Sequence, residues 1–346
     1  MARNNKITIK DVAQAAGVST QTVSRVINNR PDVSPKTRAR VQKVIADMGY
    51  APNVLARSLS RGRSNTLGVV GFGLRLYGPT SVLAGIEKKS NELGFSFILS
   101  LLDRFEMGRV DEILRDLLSH QVEGIIWAVP GISEALKDLP QKLLALSIPI
   151  VFLNKEQTDN DIVVAMDNRL GGRLATQHLL EQNYRRIGII TGPLDWWEAQ
   201  QRKLGWRETL IESGIDDLDN LIVEGDWSPA SGEVGLHALI AKSPDIDAVF
   251  VCNDQMSLGA LKAARRMRLQ VPQDLGIVGF DDIPEAGYFY PSLTTIRQNA
   301  EKLGAVAVEQ MTKFIQARQI NEEFISNISW VKPRLIVRKS SIPDKQ

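Results

Sequence analysis

From residue 66 onward the chain alternates short, wholly apolar runs with longer helical ones, and this alternation restricts the fold more than any other feature. The apolar runs at 67–71, 95–99, 124–129, 150–153, 162–165, 187–191, 248–252 and 276–280 read as strands. Helical runs such as 81–93, 169–182, 198–213, 228–241 and 255–267 lie between them. A strand that is apolar along its whole length is buried on both faces, as in parallel sheets covered by crossover helices. About 280 residues is more than one such sheet of ordinary size holds, so two Rossmann-like subdomains are expected. No low-complexity segment or short-period repeat competes with that reading.

The first 63 residues have a different character. They hold twelve Lys and Arg against three Asp, a net charge of +9, whereas the remaining 283 residues carry −7. The whole-chain value of +2 hides this split. A small basic module on an acidic body suggests that the module meets a polyanion, with the body repelled. Periodicity argues against a solvated tail. Thr8 and Asp11 form a capping box ahead of Ile9, Val12, Ala13 and Ala16, one face of a short helix. Gly17 ends it, Ser19 caps a second helix with Val23, Val26 and Ile27 inward, and Ser34-Pro35 opens a third with Val41, Val44, Ile45 and Met48 inward. Three short helices with a tight glycine turn make a helix-turn-helix pattern. On the second helix Thr20, Gln21, Ser24 and Arg25 share the polar, basic face that entry into a major groove requires.

Residues 8–28 (TIKDVAQAAGVSTQTVSRVIN), followed by VSPKTRARV, GYAPN and LARSL, resemble the lactose repressor (LacI/GalR) family of bacterial transcription regulators. The resemblance implies base reading by Thr20, Gln21 and Arg25. Gln can pair with an adenine edge and Arg with a guanine edge. It implies backbone positioning by Ser19, Thr22 and Ser24, where Ser19 is equally a plain N-cap. Asn28, Asn53, Ala56 and Leu59 complete the implied contacts with double-stranded, pseudo-palindromic operator DNA. The stretch 53–60 is about two turns of helical composition, too short to be stable alone. The resemblance makes it a hinge helix in the minor groove, with Leu59 as the wedge between base steps; an ordinary domain contact is the duller alternative for Leu59.

The resemblance continues through LGWRE (204–208), EGDWS (224–228), CNDQMSLGA (252–260), VGFDD (278–282) and PSLTTIRQN (291–299), where the chain is closer to the family's namesake than to a generic member. It implies a periplasmic-binding-protein-like core with three crossovers and an effector cleft between subdomains. By position, Arg202, Trp227, Asn253, Asp281 and Gln298 match contacts to a small sugar or glycoside. Their chemistry suits a carbohydrate: Arg donates, Asp accepts, amides do both, and Trp offers a flat apolar face. Asn253 and Asp281 follow apolar strands, where Asx residues also cap helices or shape turns. Departures are informative. Asn154 stands where the namesake has an aspartate, Trp196 where it has a serine, and Met166 where it has an aromatic, so the effector is expected to be sugar-like but not lactose specifically. Phe72 and Tyr77 are expected near the same cleft.

Other classes are disfavoured. GVVGFG (68–73) lacks dinucleotide-binding spacing, and neither Walker A nor G-x-S-x-G occurs, so no enzyme and no cofactor are expected. His120, His178 and His237 are isolated, and Cys252 is the single cysteine, which excludes a disulfide framework and a cysteine-based zinc site. No apolar run reaches the length of a membrane span and the start carries no export signal, so a cytoplasmic, nucleoid-associated protein is expected. The expected organisation is 1–50 helix-turn-helix, 51–63 hinge and 64–340 core, with one subdomain from 64–161 and 295–325 and the other from 162–292 and 326–340. A polar tail (341–346) without Leu heptads implies a homodimer rather than a tetramer.

Overall fold

A computed structural model describes residues 7–28, 30–50, 63–102, 107–129, 139–146, 148–158, 161–325 and 327–343. The chain divides into two units, Met1–Ser64 and Asn65–Gln346. The hinge segment with Asn53, Ala56 and Leu59 lies outside the described residues.

In the first unit, α1 (Ile9–Ala16), α2 (Thr20–Ile27) and α3 (Pro35–Met48) form as the caps dictate. The Thr8 backbone N–H donates to Asp11 Oδ2 at 2.8 Å while the Asp11 N–H donates to Thr8 Oγ1, a complete capping box. Gly17 takes the left-handed conformation at φ 62°, which turns the chain from α1 into α2. Ser34 caps α3 through the Thr37 N–H at 3.3 Å. Val12, Ala13, Ala16, Val23, Val26, Val33 and Val41 close a small core, with Ile9, Ile27, Val44, Ile45 and Met48 packed half-buried against it.

The second unit contains, among the described residues, two six-stranded sheets of matching topology. The first runs β11-β5-β4-β3-β1-β2, from β1 (Thr66–Gly71), β2 (Ser96–Leu101), β3 (Gly124–Ala128), β4 (Ile150–Leu153), β5 (Ile162–Met166) and β11 (Asn327–Val331). The second runs β12-β10-β9-β8-β6-β7, from β6 (Ile187–Thr191), β7 (Ile222–Glu224), β8 (Ala248–Val251), β9 (Gly276–Asp281), β10 (Thr294–Arg297) and β12 (Arg334–Ile336). Every pairing is parallel except β10 with β12. Side-chain alternation splits the first sheet's strands between two cores: Val69, Ile126, Val151 and Val164 face one, and Val70, Ile125, Phe152 and Val163 the other. That is why these strands read as unbroken apolar runs.

Three helix pairs cover the sheets: α4 (Tyr77–Glu92) with α11 (Ala300–Gln319), α7 (Asn168–Glu181) with α8 (Trp197–Glu212), and α9 (Pro229–Lys242) with α10 (Asp254–Arg266). α5 (Met107–Ser119) and α6 (Leu139–Leu144) lie on the first sheet's other face. Each pair is closed by reciprocal glycines. A Cβ on Gly172 would meet the Arg202 carbonyl oxygen at 2.2 Å, and one on Gly205 the Arg169 oxygen at 2.1 Å. Gly85 with Gly304, and Gly232 with Gly259, do the same in the other two pairs.

The chain crosses between lobes three times, each time a few residues later than the sequence places the boundary. β5 and β11 still pair within the first sheet and β10 within the second, because the last strand of each run completes its own ladder before the chain leaves. Thus 162–166 and 327–331 belong to the first lobe and 295–297 to the second. The polar tail is also corrected at its first residue. Ser341 is fully buried with its Oγ 2.8 Å from His178 Nε2, next to Ser340 at the end of the core, whose buried Oγ donates to the Ile277 carbonyl at 2.6 Å.

Candidate functional site

On α2 the inward valines leave Thr20, Gln21 and Arg25 exposed on the opposite face. Ser19 accepts the Thr22 N–H at 3.1 Å and shares a hydrogen bond with the Thr22 hydroxyl at 2.9 Å, so both are committed to the cap. Asn28 donates to Ser24 Oγ at 3.3 Å. Arg25 leans on Asp32 at 3.3 Å, a half-exposed pair that orients the guanidinium rather than stabilising the fold. A shallow polar hollow lies between the starts of α2 and α3, lined by Ser19, Arg25, Ser34, Thr37 and Arg40 among others. Two helix N-termini and two guanidinium groups favour an anion there, although Asp32, paired with Arg25, lines the same hollow. Ser34, Thr37 and Arg40 are absent from the sequence-derived set; their signal, a capped helix start with an arginine two turns on, is also that of any helix.

In the second unit Phe72, Asn154, Trp196, Arg202, Trp227, Asn253, Asp281 and Gln298 all line one concavity between the two sheets. Most of them follow the carboxyl end of a strand, where open α/β sheets place their ligands: Phe72 after β1, Asn154 after β4, Asp281 closing β9 and Gln298 just past β10. Asn253 follows β8 and caps α10, its Oδ1 accepting the Met256 N–H at 2.7 Å and its Nδ2 donating to the Trp227 carbonyl at 3.0 Å. The Asx role foreseen for this position is therefore present, and it ties α10 to the β7–α9 loop. Tyr77 lines the cleft too, whereas Met166 is buried behind it with its N–H on Asn154 Oδ1 at 2.9 Å.

A buried polar network organises the second lobe's wall. Arg202 Nε donates to Asn168 Oδ1 at 2.8 Å, its Nη1 donates to the Cys252 carbonyl and lies 3.9 Å from Asp281 Oδ1, and the guanidinium sits 3.7 Å from the Phe280 ring centre. Gln298 Nε2 donates to Asp281 Oδ1 at 2.5 Å. Burial pushes the Asp281 carboxyl up to about 6, against the opposing pull of Arg202 and Gln298. Asp254 behind it is raised well above the usual carboxylate range, chiefly by burial and then by the Asp281 charge. Burial also raises the Cys252 thiol to about 12, which removes it as a nucleophile at neutral pH. Three rings form the aromatic wall: Trp196 meets Phe72 edge-on at 5.8 Å and Trp227 at 5.7 Å. Non-glycine left-handed backbone gathers here, at Asn154 (φ 47°), Trp227 (71°) and Asp281 (118°). For a tryptophan this is a rare conformation, of the kind that persists at sites of function.

Sequence reasoning missed Glu198, which also lines the cleft. A glutamate in a helix's first turn looks like a partner of the helix dipole, and nothing in the sequence marks it as facing a cavity. Among the described residues no group of three or more His, Cys, Asp or Glu is placed to hold a metal, and no helix is long and apolar enough to cross a membrane.

Residues 8–53 match the family model of bacterial regulatory proteins of the lacI family, and residues 176–341 that of a periplasmic binding protein-like domain. The chain is 32% identical over 328 residues, 94% of its own length and 89% of the relative's, to the lactose operon repressor of Escherichia coli K12. This chain belongs to the lacI family. Another relative of this lacI-family protein is the ribose operon repressor of the same strain, 35% identical over 87% of this chain and 91% of that protein. Among solved structures, the lac repressor dimer bound to operator and the anti-inducer ONPF matches at a TM-score of 0.86 and 30% identity, over 98% of this chain and 100% of that one. A complex of the transcriptional regulator CelR with cellobiose matches at 0.72 and 31%, over 96% and 99%.

Proposed function

We propose that this protein is a homodimeric repressor that binds a two-fold DNA operator and is released when a small carbohydrate seats in the cleft. The observation that carries the reading is the buried Arg202–Asp281–Gln298 network facing the Phe72–Trp196–Trp227 wall, which joins fixed polar groups to flat apolar faces. Thr20, Gln21 and Arg25 read base edges, Ser19, Thr22, Ser24 and Asn28 position the backbone, and Asn53, Ala56 and Leu59 serve the hinge, with Leu59 as the wedge. Two copies present two recognition helices to half-sites one helical turn apart or a multiple of it. The effector acts by binding one relative arrangement of the lobes better than the other, since only differential affinity shifts a population. Asn154, Trp196, Arg202, Trp227, Asn253, Asp281, Gln298 and Phe72 are its contacts. Such a repressor works in the cytoplasm on the nucleoid.

The test is selection of random duplex DNA by the purified full-length protein, followed by a panel of neutral sugars scored for release of the selected sequence. Enrichment of a two-fold site that one or more sugars release is the expected result. No enrichment of any two-fold sequence sinks the operator reading, and tighter rather than weaker binding with sugar reverses the sign of the response.

A further inference from the structure

Three successive residues at the start of α8 reach across the cleft to the first lobe. Trp196 meets Phe72, Trp197 stacks on Trp330 with ring centres 6.4 Å apart and planes at 22°, and the Glu198 carboxyl lies beside the Asn154 amide. The last contact is oriented by the backbone. Asn154 Oδ1 accepts the Met166 N–H, so the amide NH2 is the end left for Glu198. The carboxylate's Oε2 is buried and has no hydrogen-bond partner.

A second orphan lies on the same wall. Trp227 is only 6% exposed, and its indole Nε1 is likewise buried without a partner. Buried polar atoms in native proteins are almost always paired, so an unmade acceptor and an unmade donor in one cavity call for an explanation. Neither residue lacks neighbours: Glu198 lies close enough to Arg202 to feel its charge, and the Trp227 ring sits against Gly192, where a Cβ would meet it at 2.1 Å. Both residues line the cleft, so a molecule seated there is what could supply the missing partners.

We propose that Glu198 is a specificity-determining residue of the cleft: its Oε2 accepts a hydrogen bond from a ligand hydroxyl while Trp227 Nε1 donates one to a ligand oxygen, so that the site selects a neutral polyhydroxylated ligand and turns away anionic ones. The inference rests on the carbohydrate reading above and narrows it. A hydroxyl both donates and accepts, which suits this pair; an ammonium only donates and leaves the indole unmet. An anion fares worse. Among the described residues lining the cleft, Arg202 is the one cation, its Nε and Nη1 already donate to Asn168 and the Cys252 carbonyl, and it faces two carboxyls, Asp281 and Glu198. A phosphate or carboxylate brought against Oε2 would place like charges together in a desolvated site.

Full-length protein is titrated calorimetrically with neutral mono- and disaccharides including glucose, ribose, lactose and cellobiose, and with glucose 6-phosphate, glucuronate and glucosamine. The wild type, Glu198→Gln and Glu198→Ala are compared, with the thermal midpoint of each unliganded protein as a check on folding. In Glu198→Gln the side-chain oxygen takes the Asn154 amide and an NH2 occupies the Oε2 position, converting acceptor to donor. The expected result is binding of at least one neutral sugar by the wild type, weakened tenfold or more in both variants, with the anions unbound by the wild type. Glu198→Gln is expected to raise the midpoint of the unliganded protein, because it removes a charge whose Oε2 is buried without a partner. Equal affinity of wild type and Glu198→Gln for the sugar removes Glu198 from specificity while leaving the carbohydrate reading intact. Preferred binding of glucose 6-phosphate, glucuronate or glucosamine overturns the selection of a neutral ligand. Failure of every sugar to bind the wild type overturns the carbohydrate reading and this inference with it, and a lowered unliganded midpoint in Glu198→Gln assigns the residue a structural role.

Discussion

Asp281 shows how a single residue of the proposed effector site bears on the stability of the fold. Its carboxyl is buried between Gln298 and Arg202, and the net effect of burial raises its pKa from 3.8 to about 6. A folded-state pKa above the unfolded one means that the native protein holds a proton which the unfolded chain releases across this interval. The stabilisation is complete below about pH 4 and is lost as the pH climbs toward 6. Asp281→Asn is therefore expected to flatten the fall in thermal midpoint between pH 4 and 6, read against wild type with Asp254, Glu198 and Arg202 unchanged. A ligand hydroxyl that donates to the ionised carboxylate adds the opposite trend, with effector affinity rising through pH 6 in the wild type and not in the variant. Arg25 separates the two roles in the other unit. Its ion pair with Asp32 is half-exposed on both sides and contributes little to stability. Arg25→Ala should leave the thermal midpoint almost unchanged while costing about 1–3 kcal/mol of discrimination at one operator base pair. Uniform loss across all sequences in a binding-site scan would make Arg25 a phosphate contact instead.

At the scale of elements, α8 carries Trp196 at its cap and Arg202 two turns in, and its placement depends on backbone contact with α7. Gly205 lies against the Arg169 carbonyl, with no side chain between that could yield. Gly205→Ala is expected to destabilise by about 1–3 kcal/mol, seen as a lower urea midpoint, and to weaken effector binding because the helix must move. At Gly108, in α5, an added Cβ would meet nothing within 4 Å, so Gly108→Ala should be neutral or slightly stabilising in the same assay. Opposite signs for two Gly→Ala changes would separate close approach from helix propensity. The elements also show what sequence can reveal. Strands buried on both faces, such as β4 and β6, are legible to the residue because their apolar runs have no other use. β7 and β12 have only three residues each, β11 is a half-exposed edge strand, and β10 begins with two buried threonines, so none carries that signal. The same limit applies in the cleft. Asn253 and Asp281 sit in motifs beside strand ends, and Arg202 just ahead of the LGWRE motif, and can be read, whereas the place of Glu198 on the cleft wall beside Asn154 depends on tertiary structure and has no local trace.

At the scale of the whole molecule, the division of charge predicts that the two binding activities respond differently to salt. Residues 1–63 hold a net charge of +9 in a module whose second helix exposes Gln21 and Arg25. Binding that releases counterions from DNA weakens steeply with salt. Six to ten phosphate contacts correspond to a loss of about 10³–10⁵ in affinity between 50 and 200 mM. The cleft is built from the opposite electrostatics: Arg202 and Asp281 are buried and paired with each other, and a neutral ligand brings no charge to be screened. Operator affinity of the full-length protein is thus expected to fall by at least about 10³ across that salt range, while sugar affinity measured in the same buffers stays nearly constant. Because coupling between two sites is reciprocal, the factor by which sugar weakens operator binding must equal the factor by which operator weakens sugar binding at each salt concentration. A sugar affinity that falls with salt as the DNA affinity does would mean that the ligand is charged. A coupling factor of one in both directions would mean that sugar and operator do not act on a shared equilibrium between two arrangements of the protein.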